Sequence, residues 1–175
     1  LRTSEREFEF DVIVYATGFD AFTGAYDRMD IRGVGGQKLA DCWKDGPQTY
    51  LGMLVHGFPN MIMLGGPQIA AANFPRGSEV AVDWNIPLLE HLWKKGYTRF
   101  DVTEEAQQGW FDAVKKSYDG LLINKAQSWI TGYNSNLEGH EYGKTRYNIF
   151  ATGGAEYAKH LSEAASGNYH GIRFA

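Results

Sequence analysis

Residues Phe8-Glu9-Phe10-Asp11-Val12-Ile13-Val14-Tyr15 alternate at first and then run apolar from Val12 to Tyr15. A short β-branched and aromatic run of this kind predicts a buried strand, often in a parallel sheet. It ends at Ala16-Thr17-Gly18-Phe19-Asp20, where small residues let the backbone approach another backbone or a ligand. The next strong strand pattern is Asn60-Met61-Ile62-Met63-Leu64. Two strands do not make a buried sheet, so the missing strands are expected upstream. The start Leu1-Arg2-Thr3, without Met and at once in a strand pattern, likewise predicts a piece of a longer polypeptide.

Residues 30–39 read as a strand with a Gly-rich turn, and Gly46-Pro47 as a second turn. A helix is predicted from Pro75, which suits a first turn, to Lys95, with Gly96 as the stop. Pro87 predicts a kink or break inside it. Residues 97–102 read as a short strand. Thr103 then suits an N-cap, with Glu104 and Glu105 on the positive end of the next helix dipole. Ala106, Trp110, Ala113, Val114 and Ser117 fall on one face at helical spacing, and Gly120 marks the exit. Residues 134–145 are polar and Gly-containing, hence a loop. Residues 147–150 are extended, and 156–165 form a last helix. No linker or repeat divides the chain.

With 175 residues, the chain has room for one domain or part of a larger one. A net charge of −4 argues against nucleic acid or an anionic membrane as a partner held by charge. No apolar run reaches the ~18–20 residues of a membrane span, and no signal peptide precedes the first strand. The single Cys42 excludes an intramolecular disulfide framework and fits a reduced cytoplasm.

The five His, at 56, 91, 140, 160 and 170, form no helical zinc pair. The charge pattern of Glu138-Gly139-His140-Glu141 reads as a solvated loop. Cys42 beside Trp43 reads as a small buried residue, since nothing nearby lowers a thiol pKa. Gly33-Val34-Gly35-Gly36-Gln37-Lys38 superficially matches a dinucleotide fingerprint. Lys38 occupies the third Gly position and no helix follows, so it reads as a turn.

Gly66-Pro67-Gln68-Ile69-Ala70-Ala71-Ala72-Asn73-Phe74-Pro75 leads from a strand into a helix. Ligands collect at such places in open α/β sheets. Its small apolar side chains suit either plain packing or a wall along a flat ring, with Asn73 or a backbone amide as donor. Trp129, in Ala126-Gln127-Ser128-Trp129-Ile130-Thr131-Gly132-Tyr133-Asn134, suits either a stacking platform or the anchor of a loop.

These elements, taken in order with Trp43, Tyr50-Leu51-Gly52, Gly57-Phe58-Pro59-Asn60-Met61, Glu79 and Trp84, resemble the C-terminal third of Baeyer–Villiger monooxygenases. The similarity covers nearly the whole chain. It implies an α/β fold, the C-terminal portion of a flavoprotein with two Rossmann-like dinucleotide-binding domains and added helices. It implies FAD and NADPH as cofactors, with a ketone and O2 as substrates. One oxygen atom is inserted beside the carbonyl, through a flavin C4a-peroxide, to give an ester or lactone. Residues 1–175 would be one segment completing such a protein, and the FAD and NADP fingerprints are absent from it.

The resemblance places Thr17 and Gly18 where the FAD and NADP domains join. It puts Asn73 and Phe74 against the flavin, Ala70, Ala71 and Phe74 in the substrate-pocket wall, and Trp129 on the nicotinamide from a mobile loop. Phe150, or its neighbour Ile149, falls at a second wall. No catalytic residue of the family lies in the chain, and no metal site is implied. The loop after Trp129 departs from the family's Pro-Gly-Lys turn. Ala70-Ala71-Ala72 replaces bulkier residues and suggests a larger ketone. A related N- or S-oxygenating monooxygenase and a non-catalytic assembly fragment are the alternatives. The 175 residues alone are expected neither to hold FAD tightly nor to turn over.

Overall fold

The computed structural model describes residues 1–16, 20–70, 73–141 and 143–175. Two of its elements carry most of the architecture. Helix α3 (Phe74–Lys94) starts where Asn73 accepts a hydrogen bond from Arg76 N at 3.3 Å, with Pro75 in the first turn. Ala81, Trp84, Asn85 and Leu88 form its buried face, at the three- and four-residue spacing of one helix stripe. Pro87 neither ends nor interrupts the helix. Asp83, whose carbonyl loses its N–H partner at Pro87, lies with it on the exposed side, so water can take the vacant bond.

Helix α5 (Gly154–Ser166) packs against α3 through Tyr157, Leu161 and Ala164. Trp84 Nε1 donates to the Leu161 carbonyl at 2.9 Å, so the large indole is buried with its polar atom satisfied. Between them in the chain lie strand β1 (Phe100–Val102) and helix α4 (Glu104–Ser117). Thr103 caps α4 by accepting from Ala106 N at 3.2 Å. Glu104 and Glu105 begin the helix while Lys115 and Lys116 end it, matching the helix dipole at both ends. Strand β1 pairs antiparallel with β2 (Ile172–Phe174), Asp101 opposite Arg173. The second strand is too short for its pattern to stand out in the sequence.

The principal core joins Tyr50, Leu51, Met53 and Leu54 to the buried faces of α3, α4 and α5. A smaller cluster of Leu39, Trp43, Val55, Phe58 and Met63 lies beside the short helices α1 (Gly24–Asp27) and α2 (Leu39–Cys42).

Two sequence expectations are corrected. Residues 8–15 form no strand: Val12 is 75% and Val14 81% exposed. Strand-forming side chains need a partner edge, and none in the described chain is offered to them. Residues 60–64 are not a strand either. Asn60 takes a left-handed conformation, φ 60°, and its side-chain oxygen accepts from Phe100 N at 2.9 Å, which turns the chain rather than extending it.

The Gly-rich segment is a turn as read, with a 3₁₀ turn at Val34–Gly36 closed by an isolated Arg32–Lys38 bridge, but residues 30–39 form no strand, and a one-turn helix, α2, does follow Lys38. The outer side of α3 carries a second apolar stripe, Val82, Ile86, Leu89 and Trp93, with Trp93 83% exposed. Among the described residues, no helix is long and apolar enough to cross a membrane.

Candidate functional site

The loop from Gly66 to Ala70 is fixed from below. Gln68, fully buried, accepts from Thr49 N at 3.0 Å and Thr49 Oγ1 at 2.9 Å, and donates to the Pro47 carbonyl at 2.7 Å. Its own N–H donates to Asn148 O at 2.7 Å, and Phe150 N donates to Ile69 O at 2.9 Å. Residues 68–70 therefore run beside 148–150 as a short parallel pairing, with Ala70 opposite Phe150.

This pairing makes one wall of a cavity of about 190 Å³, lined by Phe22, Ile69, Ala70, Phe74, Trp129, Ile130 and Ile149. All seven side chains are carbon or indole, so the cavity favours an uncharged, flat or alicyclic occupant. Phe74, the first residue of α3, is 57% exposed. Trp129 is 53% exposed and stacks on Phe22, ring centroids 5.4 Å apart and planes 23° apart. The indole thus keeps one face on Phe22 while about half of its surface stays open.

Trp129 sits on a 3₁₀ turn, Trp129–Thr131, capped by Ser128, whose hydroxyl accepts from Ile130 N at 3.2 Å. Gly132 ends the turn in a left-handed conformation, φ 85°. His140 Nδ1 donates to Gly132 O at 2.8 Å. His140 is consequently buried, a correction to the solvated reading of 138–141: the residues around it are exposed, but its ring seals the root of the Trp129 turn.

Several expected positions stand differently. Phe150 is 2% exposed and stacks on Trp110, with ring centroids 4.9 Å apart; its neighbour Ile149 reaches the cavity. Asn73 uses its side-chain oxygen on the helix N-terminus, and its side-chain nitrogen makes no hydrogen bond among the described residues. Thr17, Gly18 and Ala71 lie outside the described residues. Cys42 is only half-buried, its thiol donating to Lys38 O at 3.1 Å. Phe22, Gln68, Thr49 and Arg146, which build or brace the cavity, escaped the sequence reading. Phe22, Thr49 and Arg146 sit singly in polar or mixed stretches, and Gln68 is the one polar side chain between Gly66 and Ala72, in the loop read above for its small apolar residues.

No family model matches the chain. The chain is 37% identical over 175 residues to cyclopentanone 1,2-monooxygenase of Comamonas sp., covering 99% of this chain and 31% of that protein. It is 38% identical over 169 residues to the phenazine N-monooxygenase PhzNO1 of Lysobacter antibioticus, covering 95% of this chain and 30% of that one. A crystal structure of OTEMO in complex with FAD and NADP superposes with a TM-score of 0.85 at 32% identity, over 98% of this chain and 31% of that one.

The chain is homologous to the C-terminal part of Baeyer–Villiger monooxygenases.

It spans about 30% of the length of the curated relatives it matches. The α/β class with added helices agrees with these flavoprotein neighbours, although the described residues pair into only a two-stranded sheet. The cavity suits a flat ring face or edge, through Phe74 and Trp129. A phosphate cradle is another matter: the amides of Gly33 and Val34 are already bonded to Gln37 O and Gly57 O, both at 2.8 Å, so the Gly-rich turn cannot supply one.

Proposed function

We propose that the chain is the C-terminal segment of an FAD- and NADPH-dependent Baeyer–Villiger monooxygenase. The reaction inserts one oxygen atom of O2 beside a ketone carbonyl and gives an ester or lactone. The observation that carries this reading is convergence. Ala70, Phe74 and Trp129, assigned separately by resemblance to pocket wall, flavin and nicotinamide, line one apolar cavity.

When bound, FAD supplies the activation of O2 with electrons from NADPH. The work of this chain is positional. Phe74 and Trp129 offer flat faces to the cofactor rings, and Asn73 offers the amide nitrogen that its cap bond leaves open. Ile69, Ile130 and Ile149 exclude water, which raises the strength of electrostatic interactions at the reacting centre. Ala70, with Ala71, forms the substrate wall, and its small side chain leaves room for a larger ketone. Phe150 holds Ile149 against the cavity from the core. Thr17 and Gly18 are proposed beside the flavin, where the FAD and NADP domains join. Residues 1–175 form one segment that completes these domains. The single free Cys42 accords with a reduced cytoplasm.

The phenazine N-monooxygenase relative favours a second reading, oxygenation at nitrogen. The full-length protein, loaded with FAD and supplied with NADPH, is to be given a panel of cyclic and aryl ketones and an aromatic N-heterocycle. Ester or lactone products support the first reading. N-oxide without lactone would replace it with the second.

A further inference from the structure

Arg146 is 4% exposed, yet among the described residues no carboxylate lies within ion-pair distance of it. A guanidinium buried this far should be paired or should serve a geometric purpose. Its fork donates to two successive backbone carbonyls, Nη2 to Trp43 O and Nη1 to Lys44 O, both at 2.9 Å. Nε has no partner. Burial lowers the affinity of the guanidinium for its proton, while the charges of Asp20, Asp27 and Asp45 oppose that shift from beyond contact distance.

The rest of the residue grips the Trp129 turn. Arg146 N donates to Thr131 O at 2.9 Å. The aliphatic stem fills the space beside Gly132, where an added Cβ would fall 2.6 Å from Arg146 Cδ and 2.8 Å from its Cβ and Cγ. Gly132 N in turn donates to Trp129 O at 3.0 Å. The 43–46 turn also packs on the backbone of Arg146, where a Cβ on Gly46 would meet Arg146 O at 3.2 Å and its Cα at 3.5 Å. Arg146 therefore ties the 43–46 turn to the root of the Trp129 turn, through its guanidinium and stem as well as its backbone, while the indole stacks on Phe22.

We propose that Arg146 is a positioning residue for nicotinamide binding: it fixes the Trp129 turn so that the indole presents its open face over the cavity. This deepens the oxygenase reading and rests on it. Lysine could keep the charge and one carbonyl bond but not the two-pronged span, because its ammonium is a single point donor. Methionine would keep much of the stem and lose the span entirely.

The test uses the full-length, FAD-loaded protein and its Arg146→Met and Arg146→Lys variants. Two readouts are taken: the split between KM for NADPH and kcat, and the rate of chymotryptic cleavage after Leu137, which needs no turnover. With Arg146→Met, KM for NADPH should rise about tenfold, the loss expected for hydrogen bonds from a charged donor, with a smaller change in kcat and faster cleavage. Arg146→Lys should fall between Met and wild type in both. A folded Arg146→Met protein with unchanged KM and unchanged cleavage overturns the proposal. So does an Arg146→Lys protein that equals wild type in both, which keeps the idea exposed if the Met variant fails to fold. Failure of the oxygenase reading is separate: the wild type itself would then consume no NADPH with any ketone or N-heterocycle, whatever the cleavage rates show.

Discussion

The side-chain carbonyl of Gln68 accepts from both the backbone N–H and the hydroxyl of Thr49, at 3.0 and 2.9 Å. With its amide on Pro47 O, Gln68 satisfies its buried carboxamide and holds the cavity wall in a left-handed backbone conformation, φ 70°. Replacing it with Leu leaves the Thr49 N–H and the Pro47 carbonyl without partners in a dry site. Gln68→Leu should lower stability by about 2–4 kcal/mol, read from the urea midpoint of the full-length protein.

Gly132→Ala tests the close approach between the Trp129 turn and Arg146. The new methyl meets the Arg146 stem, and alanine must adopt φ 85°. A loss of about 2 kcal/mol is expected, together with a change in the fluorescence contributed by Trp129, obtained by difference from a Trp129→Phe protein. A melting temperature and emission equal to wild type would mean that the turn and the stem are not in contact in solution.

Burial raises the phenols of Tyr50 and Tyr118 from 10.0 to about 12 each. Below the unfolded value both states carry the neutral phenol, and the stabilisation is fully present. As pH rises from about 10 towards 12, the unfolded chain releases these protons first and stability falls. Unfolding midpoints between about pH 8 and pH 11.5 should therefore decline. The decline should be shallower in Tyr50→Phe, which removes one titrating group along with its 3.1 Å bond to His170 O.

Ala70→Leu narrows the cavity without adding a polar atom. If Ala70 lines the ketone site, kcat/KM for bulky ketones should drop about tenfold or more while small cyclic ketones lose less, since a few methylenes in an apolar pocket discriminate by that order. Equal losses for all ketones would place the bound carbonyl away from this wall.

Helix caps and helix faces were legible in the sequence because they depend on neighbours three or four residues away. Thr103 as N-cap, Pro75 in a first turn and the Trp110–Val114–Ser117 face needed nothing beyond that range. Residues 8–15 and 60–64 were misread because a strand is made by its partner, and their apolar runs say nothing about where that partner is. The cavity was half legible. Asn73, Phe74 and Trp129 stood out through unusual surroundings and family resemblance. Arg146 could not: a lone Arg in a polar loop reads as solvated, and its burial follows from carbonyls of Trp43 and Lys44 far away in sequence.

The outer stripe of α3 has a practical use. Trp93, 83% exposed at the end of Val82, Ile86 and Leu89, should emit at the long wavelengths of an indole in water. Whatever apolar surface comes to rest on that stripe, from another part of the polypeptide or another molecule, will shift this one tryptophan to the blue. The helix thus carries its own optical report of whether its second face is dry.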